Sequence, residues 1–177
     1  MERAIVGGGC FWCIEAAFHE LQGVERVTSG YAAGSSPNPD YHSVCAGSTG
    51  HAEVVEIIFD PSLLAFSDIL DVFFAIHDPT TLNRQGNDIG TQYRSIIIWQ
   101  DAQQAQIAAE KLLAVQADLS ETVVTELHAP CTFYPAENYH QRYFQNNPQQ
   151  PYCDLVVAPK LIKFRKRFAT RLKSEPS

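Results

Sequence analysis

The stretch GGGCFWCIEAAF, residues 7–18, places two cysteines and two large aromatic side chains directly behind three glycines. From Cys10 onward Ile14, Ala17, Phe18 and Leu21 recur at the i, i+3, i+4, i+7 spacing of one helix face. Cys10 is therefore expected at a helix N-terminus, where free N–H groups and the macrodipole favour an anion. A thiolate is such an anion, so the Cys10 pKa is expected to fall and its nucleophilic fraction to rise. Cys13 follows three residues later on the same side of the first turn, within reach of a disulfide to Cys10. Phe11 and Trp12, beside glycines at a helix start, are expected to be exposed and to form a small apolar pocket. Such a pocket suits a methyl or thioether end, because sulfur–aromatic contacts are favourable.

Two further stretches carry candidate groups. In YHSVCAGSTGHAEVV, Glu53 stands at the start of a strand, with Tyr41 and His51 nearby. A glutamate desolvated in a pocket has a raised pKa and can donate a proton near pH 7. In NDIGTQYRS, Asp88 and Tyr93 flank a glycine turn before a buried strand, and a tyrosine hydroxyl can donate to a developing oxyanion. These residues leave two chemistries open, a dithiol exchange of the thioredoxin type and a thiol attack on a small, partly apolar electrophile. The bland alternative is an inert buried Cys10 among solvated loop polars. His51 reads as a strand-end hydrogen bonder, and Cys45 and Cys131 as thiols with no role.

The elements that must position these residues follow from the remaining pattern. RAIVGGG reads as a strand entering the glycine turn, and Gly23 closes the first helix. VERVTSGYAAG and HAEVVEIIFDP read as strands on either side of a long polar loop, SSPNPDYHSVCAGSTG. SDILDVFFAIHD carries a helical stripe behind a Ser67 cap. The loop TLNRQGNDIGTQ precedes the buried strand YRSIIIWQ, the amphipathic helix DAQQAQIAAEKLLAVQADL and the strand TVVTEL. AENYHQRYFQNN reads as a short helix and NPQQPY as a flexible turn. The order is that of an α/β (α+β) two-layer sandwich, a mixed sheet with helices packed on it. Residues 1–177 are expected to form a single catalytic domain, with a basic strand/helix extension over about 154–177 covering a sheet edge.

Composition limits the partners. The net charge of −7 argues against nucleic acid, although seven of the thirteen basic residues fall between Lys160 and Lys173. No apolar run approaches the length of a membrane span, and no signal peptide is read at the N-terminus, so a cytoplasmic protein is expected. Five cysteines, with a single C-x-x-C and no second close Cys or His pair, fit neither a disulfide framework nor a structural metal site.

Together, the segments GGGCFWCIEAAF, GYAAG, NPDYHSVCAGSTGHAEVVEIIFDP, FFAIHDPTTLNRQGNDIGTQYRSIII, FYPAENYHQRYF and NPQQPYC resemble the A-type peptide-methionine sulfoxide reductases. They run from about Gly7 to Cys153. The resemblance implies a two-layer sandwich with a ferredoxin-like plait at its centre. It implies reduction of the S-epimer of methionine sulfoxide, free or in proteins, with reduced thioredoxin as electron donor and no metal or organic cofactor. By the same resemblance Cys10 is the nucleophile, Phe11 and Trp12 hold the methyl group, and Glu53 protonates the sulfoxide oxygen. Tyr41 and Tyr93 bind that oxygen, and Asp88 holds the substrate main chain. Cys153 in NPQQPYC is expected to resolve the sulfenic acid, with Cys13 as the alternative. A monomer is expected.

Overall fold

The structure is a computed structural model that describes residues 1–174. In chain order the elements are β1 (Glu2–Gly7), α1 (Phe11–His19), β2 (Val24–Ala32), α2 (Tyr41–Cys45), β3 (Ala52–Phe59), α3 (Phe66–Ile76), β4 (Arg84–Gln85), β5 (Asp88–Ile89), β6 (Ile96–Ile98), α4 (Ala102–Asp118), β7 (Glu126–His128), β8 (Tyr134–Pro135), α5 (Tyr143–Asn146) and α6 (Ala158–Arg167). One sheet runs in the order β7-β6-β1-β3-β2-β8. Its pairs are antiparallel except β6 with β7, which makes it mixed.

Alternation along the central strands builds two apolar faces. Ala4 and Val6 of β1 join Val55, Ile57 and Phe59 of β3 under α1, α3 and α6, where Phe18, Phe73 and Phe164 are buried. Ile5, Ala52, Val54, Ile96 and Ile98 point the other way and meet Cys131 and Phe133. Full burial of each large side chain contributes roughly 1.5–3 kcal/mol. No helix among the described residues is long and apolar enough to cross a membrane.

The mixed sheet with packed helices agrees with the sequence pattern, and several local expectations are corrected. The long polar loop contains α2, because Asp40 caps it: its carboxylate accepts the Ser43 N–H while Ser43 Oγ accepts the Asp40 N–H. Ser67 is not the cap of α3. The helix begins at Phe66, and Asp68 accepts the N–H of Ala65 from inside the first turn. The polar loop before Ile96 folds into the β4–β5 hairpin. α4 is less amphipathic than its pattern implies: Gln104 and Ala108 are its buried residues, and Leu113 is 75% exposed. The segment read as one helix over AENYHQRYFQNN is broken by Arg142, whose φ of 53° is left-handed. Among the described residues after Cys153 there is no strand. Cys153–Val157 is a π-helical turn that runs into α6, which packs on α1 and α3 rather than on a sheet edge. Pro159, which has no N–H to donate, falls where the π-helical turn passes into α6. Residues 175–177 of the expected basic extension lie outside the described residues.

Candidate active site

β1 delivers the chain to Gly8, Gly9 and Cys10. Gly9 has φ of +87°, and its N–H donates to the carbonyl of Tyr93 at 3.1 Å, tying the glycine turn to the segment that carries Tyr93. A Cβ on Gly8 would lie 2.7 Å from the ring of His77, so the turn is seated directly on that imidazole. Cys10 occupies the N-cap of α1, with an extended backbone (φ −63°, ψ 129°).

The charge state of Cys10 differs from the sequence expectation. Its pKa is raised well above the ordinary thiol value, first by burial and then by the neighbouring Glu53 and Cys13, against a lowering contribution from the N–H of Trp12. Cys10 keeps part of its surface accessible, yet the protein crowds it enough to withdraw most of its solvation. The helix terminus does bind a carboxyl group, but that group is Glu53, whose Oε1 accepts the N–H of Phe11 at 3.1 Å. Glu53 is 2% exposed, and burial pushes its pKa up to about 8 despite this bond. Both groups are therefore predominantly protonated at neutral pH.

The aromatics divide. Phe11 is fully buried, not exposed, because its ring lies between Tyr31 at 5.7 Å and His140 at 5.1 Å. Trp12 is half-buried. It stacks on Tyr143 at 3.8 Å, meets Tyr152 edge-on at 5.8 Å and donates its indole N–H to His140. Tyr41 and Tyr93 are half-buried hydroxyls, held protonated by burial and by acidic groups that would ionise before them: Cys45 and Glu53 at Tyr41, Glu53 and Cys10 at Tyr93. The backbone N–H of Tyr41 is fixed on Glu137, which also accepts the hydroxyl of Tyr31. Asp88 at the start of β5 accepts the hydroxyl of Tyr152 at 2.5 Å. Arg94 clasps the rim, donating to the carbonyls of Gly50 and Thr91 and pairing with Glu126. The fold thus gathers Cys10, Trp12, Tyr41, Glu53, Asp88 and Tyr93, and adds Tyr143 and Tyr152.

The other thiols are also placed. Cys13 is half-buried on α1. Burial raises its pKa to about 11, while Lys160 of α6 and the Tyr152 hydroxyl pull it down. Cys13 stands within electrostatic range of both Cys10 and Cys153. Cys153 is fully buried in the helical segment that follows the turn over NPQQ, so the thiol itself is not on the turn. Cys45 is exposed, Cys131 is half-buried, and His51 is a buried hydrogen bonder between the Gly34 N–H and the Ser36 carbonyl. A cleft of about 1140 Å³ opens between α3, α4 and α6, lined by Phe74, Lys111, Lys160 and Phe164. Pattern alone did not single out His140, Tyr143, Tyr152 or Glu137. The one signal was their density of aromatic and ionisable side chains in AENYHQRY and QPYC.

The family profile described as peptide methionine sulfoxide reductase matches residues 2–172. The peptide methionine sulfoxide reductase MsrA of Polynucleobacter asymbioticus is 56% identical over 95% of this chain and 90% of its own length. That of Chromobacterium violaceum is 52% identical over 98% of this chain and 100% of its own. Among solved structures, reduced Mxr1 from Saccharomyces cerevisiae superposes with a TM-score of 0.79 and 34% identity, covering 84% of this chain and 87% of that one. Methionine sulfoxide reductase A of Corynebacterium diphtheriae gives 0.77 and 37%, covering 84% and 76%. The glycine-led Cys10, the buried Glu53 beside it and the matched length agree: the chain belongs to the peptide methionine sulfoxide reductase family.

Proposed function

We propose that this chain reduces the S-epimer of methionine sulfoxide, free or in proteins, with Cys10 as nucleophile and Glu53 as acid. The observation that carries the reading is the buried Glu53, held by the Phe11 N–H beside Cys10 with a pKa near 8. A sulfoxide oxygen leaves poorly until it is protonated. Oε1 is engaged by the N–H, so Oε2 carries the proton toward the substrate. The hydroxyls of Tyr41 and Tyr93, held protonated, are suited to donate to the same oxygen. Trp12 seats the methyl group and Asp88 holds the substrate main chain.

The Cys10 thiol is oxidised by two electrons to a sulfenic acid while the sulfoxide is reduced to the thioether. A second thiol then displaces water from the sulfenic acid to form a disulfide, which a reduced dithiol reopens. Cys13 fits the first resolving role better than Cys153. Cys10 has extended N-cap geometry, so a bond to Cys13 does not have to deform a helical turn, and Cys13 is partly accessible where Cys153 is buried. Cys153 then stands next in line, opposite Cys13. Thioredoxin is the reductant we propose. Residues 1–177 act as one catalytic unit.

The test couples NADPH oxidation to the chain through thioredoxin and its reductase. The substrates are the separate S and R epimers of N-acetyl-methionine sulfoxide, with Cys10→Ser as control. Turnover of the S epimer alone, abolished by the substitution, is expected. Failure with both epimers, repeated with dithiothreitol as reductant, would overturn the reading.

A further inference from the structure

The indole N–H of Trp12 donates to Nδ1 of His140 at 3.1 Å. An indole has a donor and no acceptor, so Nδ1 is the bare nitrogen and the ring proton sits on Nε2. His140 is 1% exposed, and its Nε2 has no hydrogen-bond partner among the described residues. A buried orphan N–H is uncommon because it forfeits a hydrogen bond to water. The protein nevertheless keeps this ring inside an aromatic cluster, 5.1 Å from Phe11, 4.6 Å from Tyr41 and 4.2 Å from Tyr139. Of the site's own residues, the imidazole meets Trp12, Tyr41 and Tyr143.

The backbone that presents the ring is fixed from the same helix as Trp12. Glu15, three residues after Trp12 on α1, accepts the N–H of Arg142 and the hydroxyl of Ser29. Gln141 binds the N–H and carbonyl of Ser29 and the carbonyl of Ala136. Donor and acceptor of the Trp12–His140 bond therefore share one rigid frame.

We infer that His140 is a positioning residue: its neutral ring clamps the indole of Trp12 as a wall of the methyl pocket, and protonation of the ring releases that wall. The inference rests on the reading of Trp12 given above. A proton on Nδ1 would set N–H against N–H and break the bond. The ionisable groups facing the ring are the carboxylates of Glu15 and Glu137 and the hydroxyls of Tyr41, Tyr139 and Tyr143. Besides Glu15, α1 brings Phe11 and Trp12 against the ring, and neither of these titrates. The carboxylates favour the charged ring and burial opposes it. Burial prevails, placing the transition below the ordinary histidine range.

The chain has two tryptophans, so Trp99→Phe leaves Trp12 as the sole emitter. In that background Trp12 emission is expected to change as the pH falls below about 6.5, the unperturbed histidine value. The change is expected to vanish in both His140→Asn and His140→Phe. In dithiothreitol-driven turnover of N-acetyl-methionine S-sulfoxide, His140→Phe is expected to raise KM about 10-fold, the worth of one buried hydrogen bond, with little effect on kcat. His140→Asn, whose Oδ1 can accept the indole N–H, is expected to restore most of that loss. A merely space-filling His140 predicts wild-type KM in His140→Phe. That result, or an emission transition that persists without His140, overturns the inference. If the wild type turns over no sulfoxide, the proposed function fails, while the emission titration still decides the clamp.

Discussion

The N–H of Phe11 donates to Oε1 of Glu53 at 3.1 Å, joining the residue after Cys10 to a carboxyl 42 positions along the chain. This one bond fixes the Glu53 carboxyl beside Cys10 through a single oxygen. The N–H of Trp12, next along the helix, is left to the Cys10 sulfur, where it only partly offsets burial. In the mechanism we propose, Cys10 therefore rests as the thiol until substrate binds.

The rate of the sulfoxide-reducing step should therefore depend on protonated Glu53. In single-turnover experiments we expect a rate that is level from pH 6 to 7 and declines through an apparent pKa of about 8. Glu53→Gln, which keeps the acceptor for Phe11 but loses the proton, should slow the step by about 10²–10⁴-fold and abolish the decline. An unchanged profile in Glu53→Gln would remove Glu53 from the acid role.

The same burial has a cost in stability. The folded-state pKa of Glu53 lies above its unfolded value of 4.5, so the folded state holds the extra proton between these two values. Stability is complete below pH 4.5 and is lost as the pH rises through about 8. Glu53→Gln cannot ionise and should exceed the wild type in stability at pH 9 by on the order of 2–4 kcal/mol. Urea melts at pH 6 and pH 9 measure this. A variant less stable than wild type at pH 9 would contradict it.

The order of the thiols is separable by trapping. After one equivalent of sulfoxide, Cys153→Ser should form a Cys10–Cys13 disulfide. Cys13→Ser should instead accumulate a Cys10 sulfenic acid, trapped by dimedone and weighed by mass spectrometry. Lys160 favours the Cys13 thiolate, so Lys160→Gln should slow disulfide formation several-fold. A Cys10–Cys153 disulfide appearing at full rate in Cys13→Ser would return the resolving role to Cys153.

What was legible in the sequence was the part encoded locally. The strand patterns around Val6 and Val55, the glycine turn before Cys10 and the acid at the start of β3 all depend on near neighbours. The rest required tertiary contacts. The Cys10 thiol is raised and not lowered because tertiary packing buries it and because Glu53, distant in sequence, is brought beside it. Phe11 is buried because Tyr31 and His140 close over it. Arg142 breaks its helix in a left-handed turn where Glu15 captures its N–H. Cys153 lies in a helical core because its segment docks on α1, a packing choice that NPQQPYC alone does not display.

His77 offers a last test, directed at the seat of the glycine turn. Its Nδ1–H donates to the Phe73 carbonyl at 2.6 Å, and its Nε2 accepts from Ser95 Oγ at 2.8 Å, which in turn meets Thr125 Oγ1 at 2.8 Å. Gly8 rests on the ring face. Burial lowers the pKa of His77 from 6.5 to about 4. The unfolded chain therefore binds a proton that the folded one refuses, and stability, intact above pH 6.5, is lost as the pH falls toward 4. Between pH 7 and pH 4.5 this contributes about 2.5 kcal/mol of destabilisation. Glu53 acts oppositely over the same interval, so the comparison must be with His77→Gln, which shares Glu53 and lacks the imidazole. Denaturant melts of both proteins should show the wild type losing about 2.5 kcal/mol more than the variant across that range. Parallel losses would mean that the ring beneath Gly8 titrates as freely when folded as when unfolded.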